Sequence, residues 1–392
     1  MPLTRAHGPA RAPVVGGART YTRGVIETAE SGFQSVGQAT ARRIARHAAE
    51  RGQQGPTLLV HGPPGAGKQA FVDDLLALAF CTDTDLSRRP CNACRGCRDA
   101  RSRTHPDLVI GSPDAWREQR STGESIVAVA RRWLLDAAGA PIVAARRIVL
   151  IEHADRANEQ IQNALLKALE EPTDRHTFIL VADEPSRLLP TIRSRCQPLR
   201  IGRVPHAELV AHLMDRRSLP ADQAEALARI ADGLSATAMA FADRADLLAW
   251  RRRLHAELLA LLEHGRAERF AALQDLLDEA GRLNASAPEA TVDGEADAVR
   301  TPASAQRAAA LVIVDAWLGL ARDLLVAAAG RPELAPGTEL APDVARIGPR
   351  LGSAAIIRSI RLLERIHDGL RENAAPRLAL EAAMLTWPNL ER

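Results

Sequence analysis

Short unbroken runs of Val, Ile and Leu punctuate the first half of the chain: TLLV (57–60), DLVIG (107–111), RIVLIE (147–152), TFILVAD (177–183) and PLRIG (198–202). Each is bounded by polar residues and separated from the next by segments of helical rhythm. Apolar runs without alternation fit strands buried on both faces, so the pattern predicts a parallel sheet with helices on both faces. A helix is expected over Val36 to Ala49. A second follows TLLV, where Phe71, Val72, Leu75, Leu76 and Ala79 recur at helical spacing. Residues 158–172 read as a strong helix, with Asn158 as N-cap and Pro172 ending it.

After residue 202 the strand signal vanishes. From Pro205 the chain is Ala, Leu, Arg and Glu in helical rhythm, read as a short lid to about Asp243 and then a bundle. Its last long helix, roughly Ala354 to Arg371, sets Ile356, Ile360, Leu363, Ile366 and Leu370 on one stripe, a spacing that serves helix packing. Two segments lack periodicity. Residues 1–34 are rich in Gly, Arg, Ala and Pro and are expected to form a loose arm; residues 284–304 read as a flexible surface insertion. The expected organisation is therefore an α/β domain over 35–203, a helical lid over 204–245 and a helical domain over 246–392.

Composition narrows the classes. The 392 residues are 46% hydrophobic and 25% charged, the balance of a globular protein, and Lys plus Arg exceed Asp plus Glu by only three. No bulk electrostatic case for nucleic acid follows, and 3% aromatic residues give little for a base-stacking surface. The N-terminus has no apolar signal-like region. The richest apolar stretch, Ala308 to Ala329, is broken by Asp315, Arg322 and Asp323, so neither a signal peptide nor a membrane span is expected, and a cytoplasmic location is the default.

Candidate chemistry centres on HGPPGAGKQA (61–70). Gly62, Pro63, Pro64, Gly65, Ala66, Gly67 and Lys68 fit a phosphate loop between a strand and a helix. Small residues let backbone N–H groups face phosphate oxygens there, and the Lys neutralises them. The hydroxyl that would ligate Mg²⁺ after the Lys is replaced by Gln69. The acidic strand end is Glu152-His153, a carboxylate that reads equally as a residual metal ligand or as a polar strand end. Cys81, Cys91, Cys94 and Cys97 have the spacing C-x9-C-x2-C-x2-C, which suits a structural zinc insert over 81–97; a redox CxxC or buried thiols are the alternatives. Cys196 stands apart and reads as packing. Arg195, in TIRSRCQP (191–198), taken alone is a solvated or ion-paired side chain.

Taken together, GPPGAGK (62–68), the four-Cys insert followed by THPDL (104–108), ANEQIQNALLKALEEP (157–172), RLLPTIRSRCQP (187–198) and NAAPRLALEAAML (373–385) resemble the clamp-loader branch of the AAA+ ATPases, as found in bacterial DNA polymerase III. The likeness runs from about residue 35 to the end. It implies an AAA+ P-loop domain, an all-α lid and an all-α collar for oligomerisation. It also implies a hetero-pentamer with gamma/tau and delta subunits, within the DNA-directed DNA polymerase holoenzyme, that loads the sliding clamp onto primer-template DNA. Arg195 would be a trans-acting arginine finger on a neighbour's ATP. A motor subunit of this family should show GK[ST], Asp-Glu, a sensor Thr and a lid Arg. Here stand Gln69, Glu152-His153, Ala182-Asp183 and a lid stretch GLSATAMAF (233–241) with no Arg. The resemblance therefore implies the stator type, which holds ATP or ADP without hydrolysis or whose own ATPase is absent or impaired. The alternatives are a gamma/tau-type motor, an independent P-loop ATPase and a zinc-stapled nucleic-acid binder.

Overall fold

In the computed structural model, the described residues are 32–50, 57–170, 175–285, 302–335, 340–371 and 374–390. The five apolar runs become parallel strands β1 (Thr57–His61), β2 (Leu108–Gly111), β3 (Arg147–Ile151), β4 (His176–Ala182) and β5 (Cys196–Arg200). They form one sheet in the order β2-β3-β4-β1-β5. Leu58 and Val60 face a core with α1 (Ala39–Glu50) and α2 (Lys68–Phe80), whereas Leu59 faces the opposite core with α5 (Ile126–Ala137) and α6 (Glu159–Glu170). With both faces covered, every position of a central strand can be apolar: Ile148, Val149, Leu150 and Ile151 are all buried. Full burial of such side chains contributes roughly 1.5–3 kcal/mol each.

Short polar caps fix where the helices begin. Ser112 and Ser125 accept from Ala115 N and Ala128 N to start α4 (Pro113–Glu118) and α5, and Asn158 Oδ1 accepts from Ile161 N at 2.9 Å to start α6. Pro172, expected to end α6, lies outside the described residues. The remaining helices of the α/β body are α3 (Arg95–Arg101) and α7 (Pro190–Arg193).

Beyond the sheet, α8 (His206–Arg217), α9 (Ala221–Ala231) and α10 (Ser235–Asp243) enclose a small core around Leu209, Leu213, Ala228 and Phe241. Helix α11 (Ala245–Ala260) lends Leu247 and Leu248 to that core, then buries Trp250, Leu254 and Leu258 in a larger one. This larger core is shared with α12 (Arg266–Ala285), α13 (Pro302–Ala328), α14 (Ala341–Leu351), α15 (Ser353–Arg371) and α16 (Pro376–Thr386). Trp317 and Trp387 meet edge to face at 5.2 Å in its centre. The predicted stripe on α15 packs there, with Ile356, Leu363, Ile366 and Leu370 buried and Ile360 against them. Among the described residues, no helix is long and apolar enough to cross a membrane.

Three sequence expectations shift. Helix α1 starts at Ala39 rather than Val36, because Gln38 takes φ 64° and its amide is locked to Gly202 through Nε2 to O (2.8 Å) and N to Oε1 (3.0 Å). The arm assigned to residues 1–34 is fixed at its last residues: Gln34 N donates to Asp74, Gly32 O accepts from Asn92, and Phe33 packs on Phe71. The insertion assigned to 284–304 is narrower, since α12 runs to Ala285 and α13 starts at Pro302. The residues between lie outside those described.

Candidate functional site

The sharp exit from β1 into α2 is made by Gly65 and Gly67, at φ 77° and 92°. A side chain is excluded at both for a second reason. A Cβ on Gly65 would sit 2.2 Å from Thr237 Oγ1, and one on Gly67 would sit 2.4 Å from Ser235 Oγ. The start of lid helix α10 is seated on the loop: Ala236 N donates to Gly65 O (2.9 Å) and Ser235 Oγ to Ala66 O (2.9 Å). Pro63 and Pro64 are exposed, while Gly62, Ala66 and Gly67 are buried.

Lys68, expected to face phosphate, is turned back. Its Nζ donates to Gly62 O (2.8 Å) and Pro63 O (3.0 Å) and pairs with Asp183 Oδ1 at 2.7 Å. The other oxygen of Asp183 accepts from Arg371 of α15 at 3.1 Å. Lys68, Asp183 and Arg371 are only 11%, 10% and 12% exposed, so the phosphate loop, the end of β4 and the C-terminal bundle share one largely dry ion triad. Burial works to raise the Asp183 carboxyl, but Lys68 and Arg371 hold it below the usual carboxylate range. Asp155 accepts from Asp183 N and Glu184 N, which fixes this corner.

Glu152 lies against the loop, but not as an open ligand. Its Oε1 accepts from Gln69 Nε2 (3.2 Å) and from Arg103 Nη1 (2.8 Å). Arg103 also grips Asp73 of α2 through Nε (3.1 Å) and Nη2 (2.8 Å). Burial pushes the Asp73 carboxyl up against the pull of Arg103; the same burial acts to lower the pKa of Arg103, but Asp73 and Glu152 outweigh it and keep the guanidinium charged. His153, at φ 50°, stands beside the strand end, where burial and then the charge of Arg156 lower its pKa.

The four predicted cysteines converge. All four sulfurs lie within 4.8 Å of one another, with Cys94 Sγ 4.0 Å from Cys81 Sγ. Tetrahedral thiolate ligation at a metal–sulfur distance of about 2.3 Å requires sulfurs just under 4 Å apart, close to this spacing. Backbone N–H groups of Cys91, Cys94 and Cys97 point at the sulfurs of Cys81, Cys91 and Cys94, each at 3.4 Å, which stabilises thiolate charge. Burial opposes ionisation of Cys94, yet its hydrogen bonds bring it to about 6. The donor set fits a closed metal centre. Cys196 is separate, buried at the start of β5, and burial pushes its thiol up to about 11.

Arg195 does not join the loop. Thr57 of β1 pairs with Cys196 and His61 with Arg200, so Arg195 precedes the start of β5 while the loop follows the end of β1. About 13 Å of strand separates the two ends. The guanidinium, 38% exposed, pairs with Glu170 at 2.9 Å and donates to Thr191 O at 3.0 Å. Sequence reasoning missed Asp73 and Arg103 altogether, and noted Asp183 only as a departure. Arg371 was read only as the end of a packing helix. Periodicity carries no sign of these pairings, since their sequence separations run from 30 to 188 residues.

A five-stranded parallel sheet with a glycine-Lys loop between β1 and α2, followed by two helical cores, defines a P-loop α/β protein. Residues 37–205 match the family described as DNA polymerase III, delta subunit. Part of the chain is similar to DNA polymerase III delta-prime subunits. It is 34% identical to that of Pseudomonas aeruginosa over 45% of this chain and 52% of the relative. It is 29% identical to that of Bacillus subtilis over 49% and 54%. The chain spans about half the length of the curated relatives it matches. A gamma subunit-related DNA polymerase III protein from Thermotoga maritima superposes over 88% of this chain and 97% of that one, with a TM-score of 0.40 and 16% identity.

Proposed function

We propose that this protein is the stator-type, delta-prime subunit of a clamp loader. It would assemble with gamma/tau and delta subunits in a hetero-pentamer that places the sliding clamp on primer-template DNA in the cytoplasm. The observation that carries the reading is the closure of its own phosphate loop: Lys68 is spent on Asp183 and Glu152 on Arg103. A site whose phosphate cation and metal-ordering carboxylate are both internally paired is not arranged for turnover. Residues 35–203, 204–245 and 246–392 serve as AAA+ domain, lid and collar, and Cys81, Cys91, Cys94 and Cys97 hold a structural Zn²⁺ that staples the α2–α3 connection.

Chemistry then falls to Arg195. Its position at the sheet end opposite its own loop suits a finger for a neighbouring subunit's ATP, and its half-exposed pair with Glu170 is weak enough to be exchanged on assembly. A guanidinium fixed against the transferring phosphoryl group contributes roughly 10³ to 10⁵ in rate where such fingers act. The test is reconstitution with gamma/tau, delta, clamp and primed DNA. Arg195→Ala is expected to lower ATPase and clamp loading of the assembly, while the isolated chain shows no Mg²⁺-dependent ATPase. Turnover by the isolated chain, or full loading by an assembly carrying Arg195→Ala, refutes the reading.

A further inference from the structure

P-loop sites share the phosphate charge between the loop Lys, backbone N–H groups and a divalent metal held near the residue after that Lys and the acidic strand end. In this chain those two positions, Gln69 and Glu152, already touch each other at 3.2 Å, and the next group in contact with Glu152 is a guanidinium. Arg103 spans from Glu152 to Asp73 with both carboxylates at 2.8 Å, and its side chain is only 9% exposed.

The backbone shows how Arg103 is delivered. Helix α3, which carries Cys97, ends at Arg101, and Thr104 N closes back on Asp99 O at 2.9 Å. Arg103 is the residue inside that closing turn, at φ 59°, a left-handed position where glycine is the usual occupant. A long side chain is disfavoured there. Its presence is matched by three hydrogen bonds from one guanidinium to two carboxylates. Arg101, two residues earlier, is anchored in the same way to Asp74 at 2.9 Å, so the four-Cys module and α2 are locked together next to the loop.

We propose that Arg103 is a built-in cation standing where a P-loop site carries its divalent metal, so that this loop excludes Mg²⁺. The residues present do not fit a metal: Gln69 has no hydroxyl oxygen and turns its amide N–H to Glu152, and the one guanidinium of Arg103 occupies an oxygen of each nearby carboxylate. This deepens the stator reading by naming a residue that keeps the site silent, and it concerns the chain alone.

The test uses the full chain, zinc-loaded, with MnCl₂ as probe and free Mn²⁺ counted by electron paramagnetic resonance. The informative variant is Arg103→Gly, because glycine suits the left-handed turn and the fold should persist. Wild type is expected to bind Mn²⁺ at the loop too weakly to saturate, whereas Arg103→Gly binds one ion per chain at least about tenfold more tightly, through carboxylates of the kind that hold hard divalent cations. The added affinity should disappear in the double variant with Glu152→Gln, and Arg103→Lys should behave as wild type. Saturable binding by wild type that Glu152→Gln abolishes would overturn the proposal, as would a folded Arg103→Gly chain that binds no more tightly than wild type. Either result leaves the assembly assay of Arg195 unaffected, so failure here and failure of the stator reading are distinguishable.

Discussion

Replacing Asp183 by Asn removes one negative charge from between two cations and changes little in volume. Lys68 at 2.7 Å and Arg371 at 3.1 Å would then face each other across an amide, in a corner where each is about one-tenth exposed. At an effective dielectric of about 20, each lost contact is worth roughly 5 kcal/mol of Coulomb energy before desolvation is counted. Desolvation offsets much of that, and breaking a buried pair by removing one partner costs about 3–5 kcal/mol in practice. Lys68 keeps two loop carbonyls, which places Asp183→Asn near the lower end, about 3 kcal/mol. The assay is urea denaturation of wild type, Asp183→Asn, Arg371→Ala and the double variant, followed by tryptophan fluorescence. A coupling of about 1–3 kcal/mol is expected from the cycle, because the residues share one network. The folded carboxyl is held below its ordinary value, so its contribution is complete above about pH 4 and is lost as pH falls below that. The difference between wild type and Asp183→Asn should accordingly be flat from pH 8 to 5 and shrink in acid. A variant within about 0.5 kcal/mol of wild type at pH 7, or a cycle with no coupling, refutes the triad as a clamp between loop and bundle.

Two further outcomes test other parts of the molecule. His255 is buried in the helical bundle with Nε2 3.0 Å from Ala316 O, and burial lowers its pKa to about 3. An unfolded His titrates near 6.5, so unfolding takes up a proton between those values and stability should fall with acidification, by up to about 1.4 kcal/mol per pH unit; subtracting the pH profile of His255→Gln from that of wild type should isolate this limb, and identical profiles would refute it. For the four-Cys centre, metal analysis of protein purified without chelator should find about one zinc per chain. Cys97→Ser should lower that content and the melting temperature together, and an unchanged metal content would exclude Cys97 as a ligand.

The course of the chain was legible because it follows from local rules. Buried parallel strands need continuous apolar runs, and all five strands lie within two residues of their predicted bounds. Asn158 caps α6 because its side chain is short enough to reach Ile161 N, and the Cys spacing placed four sulfurs within reach of one ion. GPPGAGK marked the loop because left-handed turns select glycine. None of this told whether the loop is open. Lys68 reads as a phosphate ligand until Asp183 and Arg371, from the far end of the sequence, are packed beside it. Glu152 reads as a metal ligand or a bare strand end until the turn after α3 brings Arg103 to it. Arg195 reads as an ordinary surface side chain, and only the register of β5 on β1 shows that it stands at the far end of the sheet from its own loop. The sequence by itself determined the elements and the types of group available for chemistry, since periodicity, capping and ligand spacing act over a few residues. The tertiary structure alone decided which charges neutralise one another, because that depends on distances between segments far apart in the chain.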